Sequence, residues 1–286
     1  MPSFSLALDR AYVTRVVAAA LAEDVGPGDV TTLATIPANA TCEARLNTRA
    51  PGVVAGLPVA MEAFRQMDAG LEITEHRRDG DRIEAKDLLL TIRGSARAVL
   101  TAERVALNFS QRLTGIATVT AKYVDAIQGT KALIIDTRKT TPGLRQLEKY
   151  AVRAGGGHNH RFGLFDGILI KDNHIAASPN GVGGAIEAAR QAAPHSLRVE
   201  VECDSLDQVR EALEAGADAI LLDNMSPDQL REAVQLIGGR AIAEASGGIT
   251  LANVRAVAES GVDLISVGAL THSAPSLDLG LDFVLH

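Results

Sequence analysis

Apolar positions along this 286-residue chain change their rhythm near its middle. Over residues 5–23, Leu6, Ala7, Val13, Val16, Val17, Ala20 and Leu21 recur at helical spacing, and Gly26-Pro27-Gly28 ends the run. Strand-like stretches follow at 40–48, 52–55, 71–74 and 88–92, with a helical stretch at 58–67. Strands and helices mixed without regular alternation predict an α+β module. A long helix-periodic segment then spans 96–127, with Gly115 expected to break it. This places an N-terminal domain at 1–115 and a second domain, with a C-terminal tail, at 116–286.

In the second domain, short apolar strands are predicted at 132–135, 167–170, 199–201, 219–222, 241–243 and 264–267. Amphipathic helices are predicted at 206–215, 227–236 and 251–260. Buried strands alternating with helices predict a parallel sheet covered by helices. Polar residues follow the strands directly: Asp136, Lys171, Glu202, Asp223, Glu244 and Gly268. A βα barrel would gather them at one rim, where barrel active sites lie. An open doubly wound sheet would also place ligands at strand C-terminal ends. Six strands favour a barrel that is incomplete.

Composition narrows the function. The chain carries 35 Asp and Glu against 28 Lys and Arg, a net charge of −7, which argues against a general nucleic-acid binder. Aromatics are 3% with no Trp, which weakens a base-stacking role. No apolar run is long enough to suggest a membrane span, and the first residues lack a signal-peptide pattern. Cys42 and Cys203 have no metal-type spacing and are not expected to form a disulfide, so the cytoplasm is the expected location.

Against this acidity, residues 136–174 hold seven Lys and Arg and four acids, a local net charge of +3. Arg138, Lys139, His160, Arg161 and Lys171 exceed what one phosphate needs and suit a diphosphate or dicarboxylate. Ser246-Gly247-Gly248 follows a strand and opens a helix, where backbone N–H groups can approach an anion. Val267-Gly268-Ala269 follows the next strand and could close the same cradle. Glu202 and Asp223 end successive strands and could coordinate Mg²⁺, bind ribose hydroxyls or pair with nearby cations. Lys171 also raises the alternative of a Schiff-base aldolase.

At these residues the chain resembles the quinolinate phosphoribosyltransferases. The resemblance begins at Glu23-Asp24-Val25-Gly26-Pro27-Gly28-Asp29-Val30-Thr31-Thr32 and Thr101-Ala102-Glu103-Arg104-Val105-Ala106-Leu107-Asn108. It continues through Asp136-Thr137-Arg138-Lys139-Thr140 and the run from Gly155 to His174. Val201-Glu202-Cys203-Asp204-Ser205-Leu206, Leu222-Asp223-Asn224, Glu244-Ala245-Ser246-Gly247-Gly248-Ile249 and Val267-Gly268-Ala269-Leu270-Thr271-His272 complete it. Each motif is modest alone; the ordered set is specific.

The resemblance implies an N-terminal α/β sandwich, an incomplete α/β barrel, and a homodimer with shared active sites, with room for a higher assembly. It implies a transferase of NAD biosynthesis that converts quinolinate and phosphoribosyl pyrophosphate into nicotinate mononucleotide, pyrophosphate and CO₂. By the same implication, Arg104 reaches the partner's barrel, and Arg138, His160, Arg161 and Lys171 hold the two carboxylates, assisted by Thr137. Lys139 and Lys171 face the diphosphate, and Glu202 and Asp223 contact ribose hydroxyls and Mg²⁺. Ser246, Gly247, Gly248, Gly268 and Ala269, with Val267, cradle the 5′-phosphate. The alternatives are a relative acting on nicotinate or another aromatic acid, and a non-catalytic phospho-ligand sensor. The sensor would need the cradle but not Arg138, Lys139, Glu202 and Asp223 together.

Overall fold

Local caps and apolar stripes define the helices of the first unit. The computed structural model describes residues 8–285. Asp9 accepts a hydrogen bond from Ala11 N and starts helix α1 (Arg10–Val25); Gly26, at φ +52°, stops it. Val13, Val17 and Leu21 form its buried stripe, while Leu6 and Ala7 of the expected helix lie outside the described residues. Asp29 caps a short helix α2 (Val30–Thr35) that the apolar pattern did not reveal. Strand β1 (Thr41–Thr48) alternates exposed and buried positions, β2 is Gly52–Val53, and Pro58 opens helix α3 (Leu57–Met67). Strands β3 (Glu72–Glu75), β4 (Arg82–Ile83) and β5 (Leu88–Ser95) precede helix α4 (Ala96–Ala126).

Helix α4 runs unbroken for 31 residues, so the break expected at Gly115 does not occur. Gly115 has another purpose. A Cβ there would sit 2.0 Å from the Pro275 carbonyl oxygen, so glycine admits a close backbone approach. Gly155 does the same against the Ala117 carbonyl, at 2.4 Å.

The spatial grouping departs from a single cut between residues 115 and 116. One unit comprises Met1–Ala121, Thr141–Gly156 and Ser273–His286; the other comprises Lys122–Thr140 and Gly157–His272. Helix α5 (Arg145–Ala154) therefore belongs with the first unit, through polar contacts that no apolar pattern advertises. Arg112 Nη2 donates to the buried Glu148 at 2.9 Å, and Tyr150 OH donates to Asp79 at 2.6 Å. Asp79 also accepts from Gly56 N and Leu57 N at the start of α3. The four-stranded antiparallel sheet of this unit has the order β12-β1-β5-β3, where β12 is Leu279–Leu285.

The second unit alternates as expected. Its strands are β6 (Leu133–Ile135), β7 (Ile168–Ile170), β8 (Val199–Cys203), β9 (Ala219–Asp223), β10 (Ile242–Ser246) and β11 (Leu264–Ser266). Its helices are α6 (Asp172–Ala177), α7 (Gly181–Ala192), α8 (Leu206–Glu214), α9 (Pro227–Ile237), α10 (Val254–Ala258) and α11 (Ala269–His272). Ser205 caps α8; Ser226 and Gln229 form a capping box on α9, which Gly238 ends in the left-handed conformation.

The six strands are all parallel, in the order β6-β11-β10-β9-β8-β7. From β7 to β11 the order never reverses. Right-handed crossovers that all step one way lay their helices on one face, and α6 to α10 pack each on the next. A doubly wound sheet needs a reversal, so it is excluded. The architecture is the incomplete barrel, six strands where a closed one has eight. Among the described residues no helix is long and apolar enough to cross a membrane.

Candidate active site

Strand alternation aims two layers of side chains into the second unit. Glu200 and Glu202 are two apart on β8, so both face inward, Glu202 at the rim and Glu200 one pleat deeper. Glu244 and Ser246 repeat this on β10, and Leu221 and Asp223 on β9. A pocket of about 470 Å³ opens at the rim. It is lined by Thr137, Arg138, Lys139, His160, Arg161, Lys171, Glu202, Asp223, Ser246, Gly247 and Gly248. The sequence reading named all of these. Leu169, Leu221, Asn224, Glu244 and Ser266 complete the wall. Leu169 and Leu221 supply apolar surface suited to a flat ring.

The loop after β6 carries three of the polar side chains. Thr137 Oγ1 accepts from Lys139 N at 3.0 Å, and Thr271 Oγ1 donates to the Lys139 carbonyl at 2.7 Å. Gly268 lies against the stem of Lys139, where a Cβ would come within 3.0 Å of Cδ. Val267, Gly268 and Ala269 do not themselves line the pocket: Val267 is buried, and its N–H donates to the Ile135 carbonyl. Arg104 is exposed on α4, in the other unit.

Asp136 is not a rim ligand, contrary to expectation. It is fully buried and holds the next loop, accepting from Asn159 Nδ2 at 2.6 Å and from His160 N at 2.9 Å. Glu244, also expected at the rim, is 1% exposed and lies at the pocket floor. The His160 ring is likewise engaged inside the protein. Its Nδ1 accepts from Arg161 N at 2.7 Å, and its Nε2 lies 3.0 Å from Glu200. With Nδ1 facing the Arg161 amide and Nε2 facing a carboxylate, both ring nitrogens are turned toward the protein rather than into the pocket. The positive charge of the wall therefore comes from Arg138, Lys139, Arg161 and Lys171. Arg161 Nη1 donates to the Gly167 carbonyl, while its Nε is buried without a partner. Burial, then the neighbouring Arg138, lower the Arg161 pKa, yet a guanidinium keeps its proton.

Opposite these cations, burial and then Asp223 push the Glu202 carboxyl above its ordinary range. Two carboxylates crowded at adjacent strand ends in this way fit a hard divalent cation such as Mg²⁺, whose charge would relieve their repulsion. Beside them, Asn224 adopts φ +55° and donates from Nδ2 to Asp223 at 2.6 Å. Its Oδ1 closes on Gly247, where a Cβ would sit 2.2 Å away. Gly247, at φ +88°, and Gly248, at φ +62°, both need glycine's left-handed freedom. Their backbone forms the turn an anion can approach.

Sequence reasoning missed Glu200 and Asn224. The Glu200-Val201-Glu202 alternation held the signal for the first, because two acids two apart on a strand share a face.

Comparison with known proteins agrees with this geometry. Residues 29–114 match the family model of the quinolinate phosphoribosyl transferase N-terminal domain, and residues 116–282 match that of its C-terminal domain. The probable nicotinate-nucleotide pyrophosphorylase (carboxylating) of Bacillus subtilis is 48% identical over 263 residues, 92% of this chain and 90% of that one. The nicotinate-nucleotide pyrophosphorylase (carboxylating) of Mycobacterium leprae is 49% identical over 269 residues, 92% of this chain and 94% of its own. The crystal structure of NadC from Streptococcus pyogenes superposes with a TM-score of 0.94 at 45% identity, covering 98% of this chain and 99% of that one. With both domain models matched across nearly its whole length, this chain belongs to the quinolinate phosphoribosyltransferase family.

Proposed function

We propose that this chain transfers a phosphoribosyl group from phosphoribosyl pyrophosphate to quinolinate and decarboxylates the product, giving nicotinate mononucleotide, pyrophosphate and CO₂. One observation carries the reading: a single pocket joins a wall of four cations, a pair of carboxylates and a glycine turn. Arg138, Arg161 and Lys171 take the two carboxylates of quinolinate, with Thr137 assisting. His160 contributes its ring edge and the backbone that carries Arg161. Lys139 and Lys171 face the diphosphate. Ser246 and the Gly247-Gly248 turn receive the 5′-phosphate, with Gly268 supporting Lys139 from behind.

Glu202 and Asp223 hold the ribose hydroxyls and a Mg²⁺ ion, which when bound supplies positive charge to the diphosphate. The pyridine nitrogen attacks ribose C1 as pyrophosphate departs, and the cations stabilise the leaving group where it gathers charge. The 2-carboxylate then leaves as CO₂, because the new pyridinium nitrogen stabilises the electron pair left at C2; a proton closes that position. Bond formation needs no general base, so positioning and electrostatics supply the catalysis. The working assembly is a homodimer in which Arg104 completes the partner's pocket, a role suited to an exposed arginine on a rigid helix.

The test is direct. Purified protein incubated with quinolinate, phosphoribosyl pyrophosphate and Mg²⁺ is expected to release nicotinate mononucleotide and CO₂ in equal amounts. Arg138→Ala is expected to lower kcat/KM for quinolinate at least ~100-fold, the scale of a lost charged anchor. Ordinary turnover in that variant would remove Arg138 from the carboxylate site.

A further inference from the structure

Two subsites of the pocket meet at a side chain to which this chemistry gives no role. The parallel register sets Ser246 of β10 beside Asp223 of β9, so Asn224 and Gly247 become neighbours just beyond the sheet. Asn224 is tied to both strand ends. Its N–H donates to the Ser246 carbonyl at 2.9 Å, and its Nδ2 donates to Asp223 Oδ2 at 2.6 Å. An ionised carboxylate only accepts, which fixes the amide nitrogen on the Asp223 side and turns Oδ1 toward Gly247. A Cβ at Gly247 would lie 2.2 Å from Oδ1, 2.6 Å from Cγ and 2.9 Å from Asn224 N, so the asparagine rests directly over that glycine.

Backbone conformation alone does not call for an asparagine. Asn224 and Lys86 are the two non-glycine residues with positive φ among the described residues. Glycine would adopt the φ of +55° at Asn224 with less strain, so the contacts of the side chain account for the residue type. We propose that Asn224 is a positioning residue that sets the spacing between the carboxylate that meets the ribose hydroxyls and the turn that meets the 5′-phosphate. These are two ends of one ribose 5-phosphate unit, whose own geometry limits how far apart its partners can stand. Asp223 and Gly247 must therefore be held at a matching distance before the ligand arrives. Asn224 touches both. With Oδ2 tied to Asn224, the Asp223 carboxylate is held against rotation, and its other oxygen is left for a hydroxyl. The inference rests on the subsite roles assigned above.

The experiment measures binding of ribose 5-phosphate by calorimetry in buffer containing a chelator, so that neither metal nor turnover enters the readout. Asn224→Gly keeps the left-handed backbone and removes the amide. It is expected to weaken ribose 5-phosphate about tenfold or more, while quinolinate affinity moves less than about twofold. Asn224→Asp fills the same space and tolerates the same φ, but it has no Nδ2 donor and sets a second carboxylate against Asp223. It is expected to bind ribose 5-phosphate no better than Asn224→Gly. Wild-type affinity in either variant would overturn the proposal, and so would an equal loss of quinolinate, which marks a general disturbance. Ligand-free crystal structures supply the second readout: Asp223 and the Gly247 turn are expected to shift in Asn224→Gly, and their staying in place would also overturn it. Wild type that binds no ribose 5-phosphate would remove the assigned phosphoribosyl site, while the ligand-free structures would still judge the Asn224 contacts.

Discussion

Two adjacent glycines illustrate how much a single atom decides in this pocket. Gly247 and Gly248 both adopt positive φ, but only at Gly247 would a Cβ strike a neighbour, Asn224 Oδ1; around Gly248 there is open space. Gly247→Ala is therefore expected to displace Asn224 and with it Asp223, raising KM for phosphoribosyl pyrophosphate at least tenfold. Gly248→Ala carries only the backbone strain, about 1–2 kcal/mol, and is expected to shift the same KM less; steady-state titration of the two variants separates them. Equal losses would show that the turn conformation, not the Asn224 contact, controls the site. Burial likewise sets cysteine chemistry: it raises the Cys42 thiol and pushes the Cys203 thiol up to about 12. Both are free and buried, so iodoacetamide is expected to label neither in the native protein and both after unfolding.

At the level of elements, helix α4 owes its continuity to its packing. Gly115 costs helix propensity, yet the helix continues because the glycine admits the Pro275 carbonyl. Gly115→Ala, a favourable change in an isolated helix, is expected here to lower stability by about 1–3 kcal/mol, the cost of overpacking, as a fall in the unfolding midpoint. Helix α5 offers a second case. Tyr150→Phe would deprive the half-buried Asp79 of one of its three donors, and is expected to cost roughly 1–3 kcal/mol by denaturant titration. No change on unfolding would mean the Asp79 bonds to α3 suffice to hold that corner.

Across the whole molecule, the sharing of sites between protomers is open to a mixing test. Arg104→Ala and Lys139→Ala protomers, each expected to be nearly inactive alone, should regain part of the wild-type turnover as a mixed dimer. One pocket of that dimer would then have both residues intact. A confirmed hybrid with no recovered activity would place Arg104 with its own chain's pocket or outside catalysis. Chelation is expected to abolish turnover, with restoration by added Mg²⁺.

Much of this protein was legible in its sequence for one physical reason: strand alternation and helix periodicity are local. The strands of the second unit and the residues at their ends follow from short apolar runs, and so does the gathering of Arg138, Lys139, Lys171, Glu202 and Asp223 at one rim. The ordered motifs determined the family. Tertiary structure alone decided what depends on contacts between distant segments. It carried helix α4 through Gly115, drew α5 into the first unit by buried polar bonds, and placed β12 beside β1 across more than two hundred residues. It also turned Asp136 and Glu244 inward and engaged both ring nitrogens of His160 within the protein. A residue's type announces what it can donate, accept or carry as charge; which of these it does is fixed by the neighbours folding brings to it, and these come from strands and loops far apart in the chain.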